Sequence, residues 1–185
     1  HRLYTGDGER RLEQEIVLGI GGVRALDALG IRPTCWHVNE GHPAFLIIER
    51  IRGLMHDGLD YGAALEAVAA NTVFTTHTVV PAGHDHFPEN RVRTHLKAAL
   101  PDLDSQLDRL VALGVARDAH DFNMTTLAVR GSRHQNGVSQ IHGRVSAKLC
   151  ADLWPQIAVD ENPMGCVTNG VHVPTFLADA WHEAF

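Results

Sequence analysis

The stretch TVFTTHTVVPAGHDHF, Thr72 to Phe87, decides how the rest of the chain is read. It opens on β-branched and aromatic residues that read as a buried strand. Without a break it then enters a loop carrying His77, His84, Asp85 and His86 together with a proline and a glycine. A strand whose carboxyl end opens directly onto hydrogen-bonding side chains is the arrangement an open parallel sheet offers to a ligand, because ligands bind where strands hand over to helix N-termini.

Outward from that strand, short apolar runs alternate with longer segments of helical period. The first helix candidate, RRLEQEIVLGIGGVRALDALG, carries Leu12, Ile16, Ile20, Val23 and Leu26 at three- and four-residue steps and ends on Gly30. PTCWHV reads as a strand, PAFLIIERIRGLMHDG as a helix with Pro43 in its first turn, and YGAALEAVAA as a short helix. After the histidine loop, PENRVRTHLKAAL and DLDSQLDRLVALG are helical. FNMTTLAVRGS is a helix feeding a short strand at NGVS, IHGRVSAKLCADLW is helical again, and GCVTNGV is a strand ending in a polar turn. Strands alternating with helices predict an α/β fold, a Rossmann-like, mostly parallel sheet covered by helices on both faces. The glycines of GIGG, Gly19 to Gly22, fall inside a helical period and not between a strand and a helix, so they read as close helix packing and not as a phosphate loop.

Composition narrows the function classes. The net charge is −6 over 185 residues, and the only lysines are Lys97 and Lys148, so there is no basic stripe for nucleic acid or an anionic membrane. Cys35, Cys150 and Cys166 are odd in number and far apart, which fits a reducing compartment and small buried side chains better than a disulfide framework. No apolar run reaches the roughly 18 to 20 residues of a membrane span. The expectation is a soluble, cytoplasmic protein. The chain opens on His1 with no initiator methionine and stops at Phe185 in mid-pattern, and it is expected to be a piece of something larger.

The polar clusters share one address. HVNEGHP (His37 to Pro43), HTVVPAGHDHF (His77 to Phe87), HQNGVSQIHG (His134 to Gly143) and TNGVH (Thr168 to His172) all fall at the predicted carboxyl ends of strands. Two chemistries compete for them. His84, Asp85 and His86 form the best metal-ligand group among the thirteen histidines, though no matched Cys/His set or H-E-x-x-H supports them. His77, Asn169 and Glu40 instead make a neutral, hydrogen-bond-rich rim that suits a sugar.

The blocks WHVNEGHPAF, TTHTVVPAGHDHFP, FNMTTLAVRGSRHQNGVSQIHG and VTNGVHVPTFL, in this order and at these intervals, resemble the α-glucan phosphorylases, the glycogen and maltodextrin phosphorylase family, especially its compact bacterial branch. The resemblance runs from about Arg11 to about Leu177. It implies that residues 1–185 form part of the N-terminal Rossmann-like lobe of a GT-B enzyme, with no second domain in this chain and the active site in the cleft between two lobes. It implies a glycosyltransferase that phosphorolyses terminal α-1,4-glucosidic bonds with inorganic phosphate, releasing glucose 1-phosphate. Homo-oligomeric assembly is left open.

Residue by residue, the resemblance implies that His77 is the catalytic histidine whose imidazole and main-chain carbonyl face the transferred glucosyl unit. Asn169 holds the hydroxymethyl end of the same sugar. Glu40 and His42 lie beside the glucosyl and acceptor sites, and the loop from Thr78 through Gly83 to Asp85 lines the route of the acceptor chain. Phe176 replaces a tryptophan that many members place near the cofactor ring. The cofactor is pyridoxal phosphate, whose attachment lysine belongs to the C-terminal lobe; neither Lys97 nor Lys148 sits in a matching motif, so the chain by itself is expected to be inactive. No metal is implied. Two other classes stay open: a non-catalytic carbohydrate-binding module, and a metal-dependent hydrolase using His84, Asp85 and His86.

Overall fold

The computed structural model describes residues 8–80, 83–116 and 120–182. Its centre is a four-stranded parallel sheet in the order β1-β2-β5-β6. β1 is Trp36–Asn39, β2 Thr72–Thr76, β5 His134–Gly137 and β6 Met164–Cys166. α3 (Phe45–His56) and α4 (Tyr61–Ala70) carry the chain from β1 to β2, and α8 (Gln140–Leu149) carries it from β5 to β6. The α/β, mostly parallel architecture expected from the alternation is therefore present.

Local chemistry sets the element ends. Asp60, Asn123 and Ser139 each accept a backbone N–H from three residues on, capping α4, α7 (Met124–Arg130) and α8. The first helix is not uniform: α1 (Gly8–Ile16) and α2 (Gly22–Ala28) are joined by a π-helical turn, Val17–Gly21. Gly30 ends it with a φ of 71°, which a side chain would resist. Gly19 is where this helix meets α3, since a Cβ there would lie 2.7 Å from the Leu46 nitrogen and 2.8 Å from the Phe45 Cβ. Close packing is thus the role of Gly19, whereas Gly22 faces open space.

Two features depart from the expectation. β1 starts at Trp36, three residues into PTCWHV, and runs one residue further, so Asn39 belongs to the strand with His37 and not to the loop after it, and β5 covers His134–Gly137, two residues earlier than NGVS. Between β2 and β5 the chain also makes an antiparallel pair, β3 (His86–Pro88) with β4 (Asp121–Asn123), enclosing α5 (Glu89–Ala99) and α6 (Leu107–Ala112). Three-residue strands carry too little periodicity to be seen in sequence. The pair matters because Phe122 of β4 stacks on Phe45 of α3, ring centroids 5.7 Å apart and 13° from parallel, which joins the ribbon to the main core.

Candidate functional site

The strand ends carry a connected polar rim. His37 Nε2 lies 2.8 Å from Thr75 Oγ1, and that hydroxyl donates to Asn136 Oδ1 at 3.1 Å, linking β1, β2 and β5. One residue beyond β1, Glu40 takes a left-handed conformation, φ 67°, with its N–H donated to the Thr75 carbonyl at 2.9 Å. A glutamate in that region is strained by about 1 kcal/mol or more. The strain aims its carboxylate sideways: Oε1 accepts the backbone N–H of His77 and the Thr78 hydroxyl, the latter at 3.2 Å. His77, one residue beyond β2, is exposed, and its Nε2 donates to Asn39 Oδ1 at 2.6 Å. With Nε2 engaged by Asn39, Nδ1 is the ring nitrogen left to a ligand.

Below this rim lies a cleft of about 370 Å³, lined by Arg11, Glu40, His42, Thr78, Gly83 and His84 among others. Four of the residues expected at a sugar site, Glu40, His42, Thr78 and Gly83, are thus brought to one cavity wall. Burial, with the positive charge of Arg11 behind it, holds the His42 imidazole below its ordinary pKa, and burial does the same for His84. Both are therefore uncharged at neutral pH, hydrogen-bonding groups and not cations.

His77 and Asn169 do not line that cleft. Asn169 reaches the rim by its backbone, with its N–H on the Val138 carbonyl at 3.1 Å, and its side chain is exposed. Phe176 is 78 % exposed on the short helix α9 (Val173–Phe176). His84, Asp85 and His86 turn to three different partners: Thr125 Oγ1 at 2.7 Å, Arg11 Nη2 at 2.8 Å and Asn123 Nδ2 at 3.0 Å. Among the described residues no group of three His, Cys, Asp or Glu converges on a metal position.

Reading by motif missed Arg11, and it held Asn39 and Asn136 only as members of the polar clusters HVNEGHP and HQNGVSQIHG, with no role of their own. The available signal for the first was Glu15, a carboxylate spaced to fall on the apolar stripe of Leu12 and Ile16 and buried with Leu12. Such a residue needs a partner, and Arg11 one turn earlier is it, with Nε 2.8 Å from Glu15 Oε1.

A family model described as carbohydrate phosphorylase matches residues 31–183, which contains every strand of both sheets and all of the rim. The chain belongs to the carbohydrate phosphorylase family. It is 49% identical to a glycogen phosphorylase of Mycobacterium tuberculosis, over 97% of this chain and 22% of that protein. It is 45% identical to a maltodextrin phosphorylase of Thermococcus litoralis, over 95% of this chain and 21% of that protein. A glycogen phosphorylase of Aquifex aeolicus is 34% identical, over 95% of this chain and 25% of the relative. The chain therefore spans about a fifth to a quarter of the length of the curated relatives it matches. The left-handed Glu40, the His77–Asn39 bond and the cleft lining other than Arg11 belong to the matched segment. Among the described residues no helix is long and apolar enough to cross a membrane.

Proposed function

We propose that these residues supply the sugar-holding wall of an α-glucan phosphorylase, as part of the N-terminal Rossmann-like lobe of a longer, two-lobed GT-B protein in the cytoplasm. The reaction is cleavage of a terminal α-1,4-glucosidic bond by inorganic phosphate, giving glucose 1-phosphate. The observation that carries this is the strained Glu40, itself part of the cleft wall, holding the His77 backbone beside hydrogen-bonding groups that include the uncharged His42 and His84. Backbone strain persists where the surroundings over-determine it and is characteristic of functional sites.

Bond cleavage develops positive charge on the anomeric carbon and ring oxygen of the glucosyl unit. A main-chain carbonyl at His77 fixed toward that charge stabilises the transition state more than the ground state. Asn169, gripping a remote hydroxyl, holds the ring for attack at the right carbon. Glu40, His42, Thr78 and Gly83 bound the space in which the leaving glucan chain lies, and the neutral state of His42 lets it hydrogen-bond to hydroxyls without adding charge.

Pyridoxal phosphate enters through the family alone; when bound, its phosphate would assist proton transfer from inorganic phosphate to the glycosidic oxygen. The residues present do not build its site: Lys97 Nζ pairs with Asp104 at 3.0 Å on a surface helix, Lys148 is exposed on α8, and Phe176 stands in solvent. The chemistry assigned to this chain accordingly runs through its own side chains and carbonyls.

The test is an assay of glucose 1-phosphate release from maltodextrin and phosphate by the full-length protein carrying this sequence, beside residues 1–185 alone. Turnover by the first and none by the second is expected. Binding of maltodextrin by the full-length protein without phosphorolysis would leave a carbohydrate-binding module instead.

A further inference from the structure

Behind the cleft wall, α1 contributes a pair of residues that the sugar site as described does not use. Glu15 is 1 % exposed, and neither of its carboxyl oxygens receives a well-aligned donor among the described residues. Arg11, one turn earlier, sits between acids: its Nη2 is 2.8 Å from Asp85 Oδ2 and its Nε is 3.4 Å from Asp85 Oδ1 and 2.8 Å from Glu15 Oε1. The same Nη2 approaches His42 Nδ1 to 3.5 Å. Arg11, Asp85 and His42 all line the cleft, and Glu15 stands behind them.

We propose that Glu15 is a positioning residue for the cleft: through Arg11 and Asp85 it fixes the loop bearing Gly83 and His84, and through Arg11 it fixes the imidazole of His42. The proposal rests on the sugar-binding role of that wall. It deepens it by naming what holds the wall in place.

The charge balance supports it. A carboxylate at Glu15 would lie buried beside a second carboxylate with one guanidinium between them, a net negative cluster without the hydrogen bonds to sustain it. A neutral Glu15 instead donates its O–H to Asp85, leaving one carboxylate for one guanidinium. Burial first, and Asp85 second, accordingly push the Glu15 carboxyl up to about 9, against the pull of Arg11. Asp85 moves the other way, held low against its own burial by Arg11 and the Glu15 proton. Among the described residues the other ionisable groups facing the cluster include His42, from the β1–α3 connection, Glu40 beyond it, and His84 beside Asp85. The loop is thus tied to α1 across 74 residues of sequence by a shared proton and an arginine fork, with its own backbone closed by the Gly83 N–H on the Val80 carbonyl at 3.0 Å. Its far end is closed by the Met124 N–H on the Asp85 carbonyl at 3.1 Å.

The experiment compares the full-length protein with its Glu15→Ala and Glu15→Gln variants, using maltodextrin phosphorolysis and amide hydrogen exchange. Glu15→Ala is expected to raise KM for maltodextrin about tenfold with kcat changed by less than about twofold, and to speed exchange of the Gly83 and Met124 amides by about tenfold or more. Glu15→Gln, whose amide donates to Asp85 and accepts from Arg11 as the neutral acid does, should restore both to within about twofold of wild type. Unchanged exchange in Glu15→Ala, or a KM that stays at the wild-type value while only the active fraction falls, overturns the proposal. So does a Glu15→Gln variant as damaged as Glu15→Ala. If the unmodified protein shows no phosphorolysis, the enzymatic assignment fails, while the exchange rates still decide whether Glu15 holds the loop.

Discussion

The carboxylate of Glu40 accepts the backbone N–H of His77, so the residue just past the first strand of the sheet holds the residue just past the second. Glu40 does this from a left-handed backbone, φ 67°. The contact and the strain oppose one another in stability, and substitutions at one position separate them.

Glu40→Ala loses the acceptor and keeps the strain, while Glu40→Gly loses the acceptor and relieves the strain. Glu40→Gly should therefore be the more stable of the two by about 1 kcal/mol, although glycine is ordinarily the poorer choice. Both should lower kcat/KM of the full-length protein by about tenfold or more, because the His77 N–H loses its anchor. Thermal melting and phosphorolysis on the same two variants check this; equal stabilities would remove strain from the account.

Asn169 is exposed, and its side chain has no partner among the described residues, so its replacement is not expected to weaken the fold. If it grips a sugar hydroxyl, Asn169→Ala reduces kcat/KM by about 1.5 to 3 kcal/mol, roughly ten- to a hundred-fold, with the melting temperature unchanged. His77→Asn removes the imidazole and its bond to Asn39 but retains the carbonyl, so its loss of rate is partial. Wild-type kinetics in both variants would take the rim out of the reaction.

The two glycines of the π turn and the following helix should respond with opposite signs. Gly19→Ala places a methyl 2.7 Å from a backbone nitrogen of α3 and should destabilise by about 1 to 3 kcal/mol. Gly22→Ala meets nothing within 4 Å and keeps a helical φ of −60°, so it should stabilise by about 0.5 to 1 kcal/mol. Melting of the two single variants distinguishes packing from mere helix propensity.

Burial of Glu15 makes stability depend on pH in a stated direction. Its carboxyl titrates near 9 in the folded protein, against about 4.3 in an unfolded chain, so between those values only the unfolded chain releases the proton. The contribution is fully present below the unfolded value and is lost as pH rises through the folded one. The melting temperature of the wild type minus that of Glu15→Gln should therefore fall steadily from pH 5 to pH 9. A difference independent of pH would mean that Glu15 is ionised in the fold.

Much of the architecture was legible in local pattern. Apolar residues at three- and four-residue steps mark the helices, a β-branched run marks β2, and the polar clusters after strands mark the rim, because helix and strand periods are properties of neighbouring residues. The ordered motif blocks pointed to the phosphorylase family, and the family match bears this out. The same pattern could not show the β3–β4 pair, whose strands are three residues each and joined only across a long excursion. Nor could it show that His84, Asp85 and His86 diverge to Thr125, Arg11 and Asn123, since adjacent residues in sequence tell nothing of where their side chains turn. The left-handed Glu40 and the uncharged Glu15 were likewise decided only by tertiary structure. A backbone strain at Glu40 is tolerated, and a carboxyl at Glu15 keeps its proton, only when His77, 37 residues from the first, and Asp85, 70 residues from the second, are folded against them. Sequence determined which groups this protein has and which strand ends present them; burial and long-range contact determined their charge, their direction and their partners.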